Sequence, residues 1–169
     1  MAGGNFKADV PERGYEFLAG EVRRPGAVPR AEVEAALKQY FVVANEGART
    51  GDWNPWADLF TEDAVYVEHA YGVIRGREGI RDWVTTVTGS KPTELRMAAG
   101  WHVIDNDLCV VYAPNWHPAP DGGQPYQFNA IAILCYAGDG KWCYEEDVYN
   151  TAEAQRVHQA FAAAKQAAG

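Results

Sequence analysis

Between Pro29 and Gly51 the apolar residues Val33, Leu37, Tyr40, Phe41, Ala44 and Ala48 recur at spacings of 4, 3, 1, 3 and 4. That period keeps them on one face of a helix. Proline at the first helical position opens it and glycine closes it. A short second helix is expected from Trp53 to Phe60. The two-residue period of a strand then appears over Ala64–His69 and, across a short turn, over Tyr71–Arg75. Gly76–Thr88 returns to helical spacing, with Ile80, Trp83, Val84 and Val87 on one stripe.

After residue 88 the pattern is that of an antiparallel sheet. Strands are expected near Leu95–Ile104, over Leu108–His117, over Tyr126–Tyr136 and over Trp142–Tyr149. They are separated by the turn Asp105-Asn106-Asp107, the loop Pro118–Pro125 and the hairpin turn Ala137–Lys141. Thr151 is the expected cap of a final helix with Ala154, Val157, Phe161 and Ala164 on its apolar face. Residues 1–28 are rich in glycine and proline and read as an extended arm, whose Tyr15, Phe17 and Leu18 could dock on a neighbouring surface. Residues 29–169 read as a single domain.

Helices followed by a run of long strands place the chain in the α+β class. The strands are apolar on both faces, and three helices can cover only one of them. The other face has to line a pocket or meet a second subunit, so a homodimer is expected.

Composition narrows the partners. The chain of 169 residues carries a net charge of −8, which argues against nucleic acid and anionic membrane, both of which need clustered cations. No apolar run approaches a membrane span, and the N-terminal MAGGNFKADVPERG lacks the apolar core of a secretory signal. Cys109, Cys135 and Cys143 are odd in number, lack a CxxC and sit among apolar residues, as packed thiols do in a reducing compartment. A cytoplasmic location is the expectation.

The most informative chemistry lies in WCYEEDVY, Trp142–Tyr149. Three consecutive acids are unusual in a strand. Alternation puts Glu145, Asp147 and Tyr149 on one face and Tyr144, Glu146 and Val148 on the other. One carboxylate at least must meet the buried face, where it acts as a tuned acid or base or serves as a structural hydrogen-bonding group. In YVEHAY, Tyr66–Tyr71, Glu68 and His69 sit at the end of a short strand, and the histidine is either a proton-transfer group or a core residue. Polar residues thinly spread among aromatics, namely His102, Tyr112, Asn115, His117, Gln127 and Asn129, suit a small-molecule pocket or a wet subunit interface. Dinucleotide, phosphate-loop, nucleophile-elbow and HExxH motifs are absent, so neither a cofactor nor a metal is expected.

A set of short motifs carries a resemblance. Gly51-Asp52, Leu59-Phe60, Glu62-Asp63-Ala64, Gly72, Gly76 through Ile80 and Trp83 follow in an order similar to that of the nuclear transport factor 2-like superfamily. Within it the chain resembles the SnoaL-like polyketide cyclases and ketosteroid isomerases over roughly residues 30–150. The resemblance implies a cone-shaped, curved antiparallel sheet wrapped by N-terminal helices around an apolar pocket, in a dimer. His69 stands where the isomerases keep their general base, and Ala132 where they keep a strand aspartate. Asp147 is the nearest match to the late-strand aspartate that does acid/base work in the cyclases.

Together these imply a cofactor-independent isomerase, cyclase or dehydratase. Its substrate would be a hydrophobic molecule bearing a carbonyl or hydroxyl group. Asp147 and His69 would move the proton; Tyr40, Tyr149, Glu145, Asn129, Asn115, Tyr112 and Trp83 would bind the substrate. The same cone also suits a non-catalytic binding module or a structural subunit of an oxygenase-type complex.

Overall fold

The computed structural model describes residues 17–24, 26–89 and 92–168. Four helices, α1 (Arg30–Thr50), α2 (Asn54–Ala57), α3 (Arg77–Thr88) and α4 (Thr151–Ala168), surround seven strands. The strands are β1 (Phe60–Glu68), β2 (Gly72–Arg75), β3 (Arg96–Met97), β4 (Trp101–Asp105), β5 (Leu108–His117), β6 (Tyr126–Gly138) and β7 (Lys141–Tyr149). They form one curved sheet in the order β2-β1-β7-β6-β5-β3, with β4 also pairing with β5.

Helix α1 ends as its glycine requires: Gly51 takes φ 80° and its N–H donates to the Gly47 carbonyl at 2.8 Å. Val33, Leu37, Tyr40, Ala44 and Ala48 are buried against the concave face of the sheet. Gly47 on the same helix lets the Trp53 ring lie close, because a Cβ there would come within 2.9 Å of the indole.

Four features depart from the sequence reading. The sheet is mixed, because β1 and β7 run parallel, with Glu68 opposite Asp147 in register. The strand expected over Leu95–Ile104 is split, since residues 98–100 bulge opposite Pro114, which has no N–H to give to a ladder. A register shift between Cys135 and Tyr136 turns Cys143 to the convex face and Trp142 to the concave core. Asn150, not Thr151, caps α4, its Oδ1 accepting from the Glu153 N–H at 3.1 Å.

The convex face has its own small core. Ala19, Val65, Cys135, Cys143 and Tyr144 are buried there, with Leu18, Val22, Leu108 and Ile133 around them. Residues 17–24 supply this cover: Phe17 packs edge-on against Tyr144 at 5.2 Å, and Leu18–Glu21 form a single helical turn. Arg23 clamps the buried Asp107 through two bonds of 2.7 and 2.8 Å. Tyr15 lies outside the described residues. Farther along the same face Trp101, Val103 and Val148 are exposed. Among the described residues no helix is long and apolar enough to cross a membrane.

Candidate active site

The concave face of the sheet, α1, α2, α3 and the start of α4 enclose a cavity of about 610 Å³. The cavity exists because β5 and β6 present Ala113, Ala130 and Ala132 where larger side chains would fill it. Its walls are aromatic: Tyr40, Trp53, Trp56, Tyr66, Trp83 and Phe128 all face it. Tyr66 and Trp83 lie 4.9 Å apart, and Trp56 stands edge-on to both Tyr66 and Tyr40 at 6.0 Å.

Three carboxylates enter this apolar wall, Glu68 from the end of β1 and Glu145 and Asp147 from β7. Strand alternation puts Glu145 and Asp147 side by side on one face, and the parallel pairing sets Glu68 beside Asp147. Each β7 acid has a tyrosine. The Tyr40 hydroxyl donates to Glu145 Oε1 at 2.6 Å, and the Tyr66 hydroxyl donates to Asp147 Oδ2 at 2.5 Å. The backbone N–H of Ala70 donates to Glu68 Oε2 at 2.8 Å. Among the described residues the buried Glu145 Oε2 and Glu68 Oε1 make no hydrogen bond, though the Tyr66 hydroxyl stands near Glu145 and the Tyr149 hydroxyl near Glu68.

This setting shifts the acids. Loss of hydration pushes Asp147 up to about 6, while the Tyr66 hydroxyl holds it back by favouring the charged form. Glu145, only 1% exposed, is raised well above the carboxylate range, first by burial and then by the neighbouring Asp147 charge. Burial and these two acids raise the Tyr40 and Tyr66 hydroxyls well above the usual phenol range. Both acids therefore hold a proton more tightly than a solvated carboxylate does. Two adjacent acids with separated protonation states can give one proton while taking another.

The structure sorts the residues singled out from sequence. Asp147, Glu145, Tyr40, Tyr149, Asn115 and Trp83 line the cavity. His69 does not. It sits in the turn after β1, its side chain 42% exposed, with Nε2 3.0 Å from Glu146 Oε1 on the convex side. It follows Glu68 directly, so when Glu68 points inward the alternation turns His69 out. Tyr112 and Asn129 are also on the wrong face. Antiparallel partners share a face: Ala113 pairs with Ala130 and Asn115 with Phe128 inside, leaving Tyr112 to stack on Trp101 and Asn129 to bond Gln127 outside.

Tyr66 and Glu68 belong to the site, although the sequence reading gave them no role. Their parity on β1 was the available signal, since both share the face of the buried Ala64. Trp53, Trp56, Phe128 and His158 complete the lining. His158, on α4, lies 2.9 Å from His117 on β5, and both rings are shifted down by burial. Among the described residues no three His, Cys, Asp or Glu side chains converge as a metal site requires.

Comparison with known proteins agrees with this fold. A family model of the SnoaL-like domain matches residues 37–145. An NTF2-like protein from Anabaena variabilis ATCC 29413 has a similar structure, with a TM-score of 0.59 and 19% identity over 76% of this chain and 96% of that one. An M. tuberculosis LEH-like epoxide hydrolase is similar with a TM-score of 0.58, at 12% identity over 82% of this chain and 98% of that one. SalBIII, an epoxide hydrolase/cyclase-like enzyme of pyran ring formation in the polyether salinomycin, gives 0.56 at 18% identity, over 73% and 94%. At such identities the likeness is one of fold. A comparison with curated proteins finds no match.

Proposed function

We propose, because this chain belongs to the SnoaL-like domain family, that its cavity is the active site of a cofactor-independent isomerase, cyclase or dehydratase. The substrate is a hydrophobic small molecule with a carbonyl or hydroxyl group. One observation carries the reading: Glu145 and Asp147 share one face of β7 inside an aromatic cavity, each bonded to its own tyrosine.

Asp147 is the general base. With its carboxyl held near 6 it is mostly ionised at neutral pH, yet basic enough to take a proton from a carbon beside a carbonyl or from a hydroxyl. Glu145 is the general acid. Its Oε1 accepts from Tyr40, so a proton on the unpartnered Oε2 is free to bond the oxygen on which charge develops. In isomerisation that oxygen becomes an enol; in dehydration it departs as water; in cyclisation Glu145 assists the oxygen whose bond opens. Epoxide hydrolase and cyclase-like relatives in fold support chemistry of this push–pull kind. Tyr66 positions Asp147 and sets its basicity. Trp83, Trp56 and Phe128 exclude water and hold the apolar body of the substrate.

The test is deuterium wash-in from D2O into β-tetralone, a hydrophobic enolisable ketone, followed by NMR. The wild-type protein should exchange the α-protons above the buffer rate. Asp147→Asn should lower the protein-catalysed rate roughly 10²-fold or more, the usual scale of general acid–base catalysis. Glu146→Gln, on the convex face, should stay within about threefold, since its carboxylate meets Tyr144 and His69 instead. Wild-type exchange at the buffer rate, or full exchange by Asp147→Asn, would refute the assignment.

A further inference from the structure

The charges of the cavity do not balance. Among the described residues, Glu68, Glu145 and Asp147 line it, and neither lysine nor arginine does. The push–pull chemistry uses Glu145 and Asp147 and leaves Glu68 without a task. Glu68 is 3% exposed, and only its Oε2 is satisfied, by the Ala70 N–H in the turn. Among the described residues its buried Oε1 makes no hydrogen bond, although the Tyr149 hydroxyl stands beside the Glu68 carboxyl. Leaving a buried acceptor unpaired is costly, so a group that supplies a donor and a positive charge would be bound strongly there.

The walls suit the same group. Trp83 lines the cavity between two further rings, Tyr66 at 4.9 Å and Tyr71 at 6.0 Å. These π faces attract an organic cation, and most strongly when water is excluded. A hard metal ion would need six or more oxygens at short range, and no such group converges among the described residues. A protonated amine needs one carboxylate, one to three acceptors and apolar surface for its carbon skeleton.

Resting on the reading of this cavity as the substrate site, we infer that its substrate carries a basic amine. The ammonium group seats against Glu68 Oε1 and the Tyr66–Tyr71–Trp83 wall, and the reacting oxygen faces Glu145 and Asp147. Glu68 then fixes which end of the molecule enters first. This favours the cation over uncharged analogues, which bind but leave the Glu68 oxygen unpaired.

The experiment compares naphthylethylammonium with propylnaphthalene, its uncharged near-isostere, by calorimetric titration of the full-length wild-type protein near neutral pH. An apolar cavity without a counter-charge favours propylnaphthalene, since the ammonium group must give up its hydration. The inference predicts the reverse, with the cation bound at least about tenfold more tightly. Glu68→Gln should abolish that preference while changing the affinity for propylnaphthalene less than about threefold. The second probe also reports that the variant cavity is intact.

Equal or tighter binding of propylnaphthalene by the wild-type protein overturns the inference, as does binding of neither probe. So does a cation preference that survives Glu68→Gln. The two readings fail separately. If propylnaphthalene wins, an apolar ligand still occupies the cavity and Asp147 keeps its role. If Asp147→Asn exchanges β-tetralone at the full rate, the acid/base reading falls and the amine preference, held by Glu68, stands.

Discussion

Replacing Asp147 by asparagine should stabilise the protein at neutral and alkaline pH. In the wild type the carboxyl sits near 6 in the fold, against an unfolded value near 3.8. The folded state therefore holds the proton more tightly than the unfolded chain. That contribution to stability is complete below the unfolded value and is lost as pH rises through about 6. Over the whole span the loss is about 3 kcal/mol, and between roughly pH 5 and pH 8 it is about 1.4 kcal/mol. Asparagine keeps the shape and can still accept from the Tyr66 hydroxyl, which donates at 2.5 Å in the wild type. It carries no charge to desolvate. It also removes the repulsion that helps to raise Glu145.

The assay is urea unfolding of both proteins at several pH values between about 5 and 8. The advantage of Asp147→Asn over wild type should widen by about 1.4 kcal/mol across that range. With an m-value of about 2 kcal/mol/M, this is a midpoint difference growing by roughly 0.7 M urea. Parallel pH profiles, or an advantage that shrinks as pH rises, would refute a buried, destabilised carboxylate at this position. Gain of stability with loss of turnover is the mark of an active-site residue held at a cost.

Three further outcomes follow from the same structure. Tyr66→Phe removes a charge-assisted bond worth about 1.5–3 kcal/mol, so the acidic limb of the pH–rate profile, near 6 in the wild type, should move up by about 1–2 units; an unmoved limb would exclude Tyr66 as the tuner of Asp147. Arg23→Ala unpairs the buried Asp107, whose carboxyl is held below its usual range chiefly by the Arg23 bond. Urea unfolding near neutral pH should show a loss of about 1–2 kcal/mol, discounted for the partly exposed guanidinium, and the loss should vanish as pH falls through the depressed Asp107 value. Sedimentation at micromolar concentration should show a homodimer near twice the 18.6 kDa chain mass, because Trp101, Val103 and Val148 leave apolar surface on the convex face beyond the reach of residues 17–24; a lone 18.6 kDa species would refute it.

Local pattern along the chain carried most of the architecture. The 3.6-residue period of Val33 to Ala48, the glycine after Thr50 and the two-residue period from Leu108 onward each depend on near neighbours, and those elements stand within a few residues of where the pattern puts them. Glu145, Asp147 and Tyr149 on one face of β7 were legible for the same reason, since alternation is intrinsic to an extended backbone. Which face turned inward was not written in any one strand. Tyr112 and Asn129 alternate as regularly as Asn115, and only the pairing of β5 with β6 across Ala113 and Ala130 sends them outside. The parallel contact of β1 with β7 joins residues about 80 apart, and it alone brings Glu68 and Tyr66 to Asp147 while placing His69 against Glu146. The protonation states follow from that assembly: a carboxylate's charge is set by the water it loses and the dipoles it meets, and both arrive from distant segments.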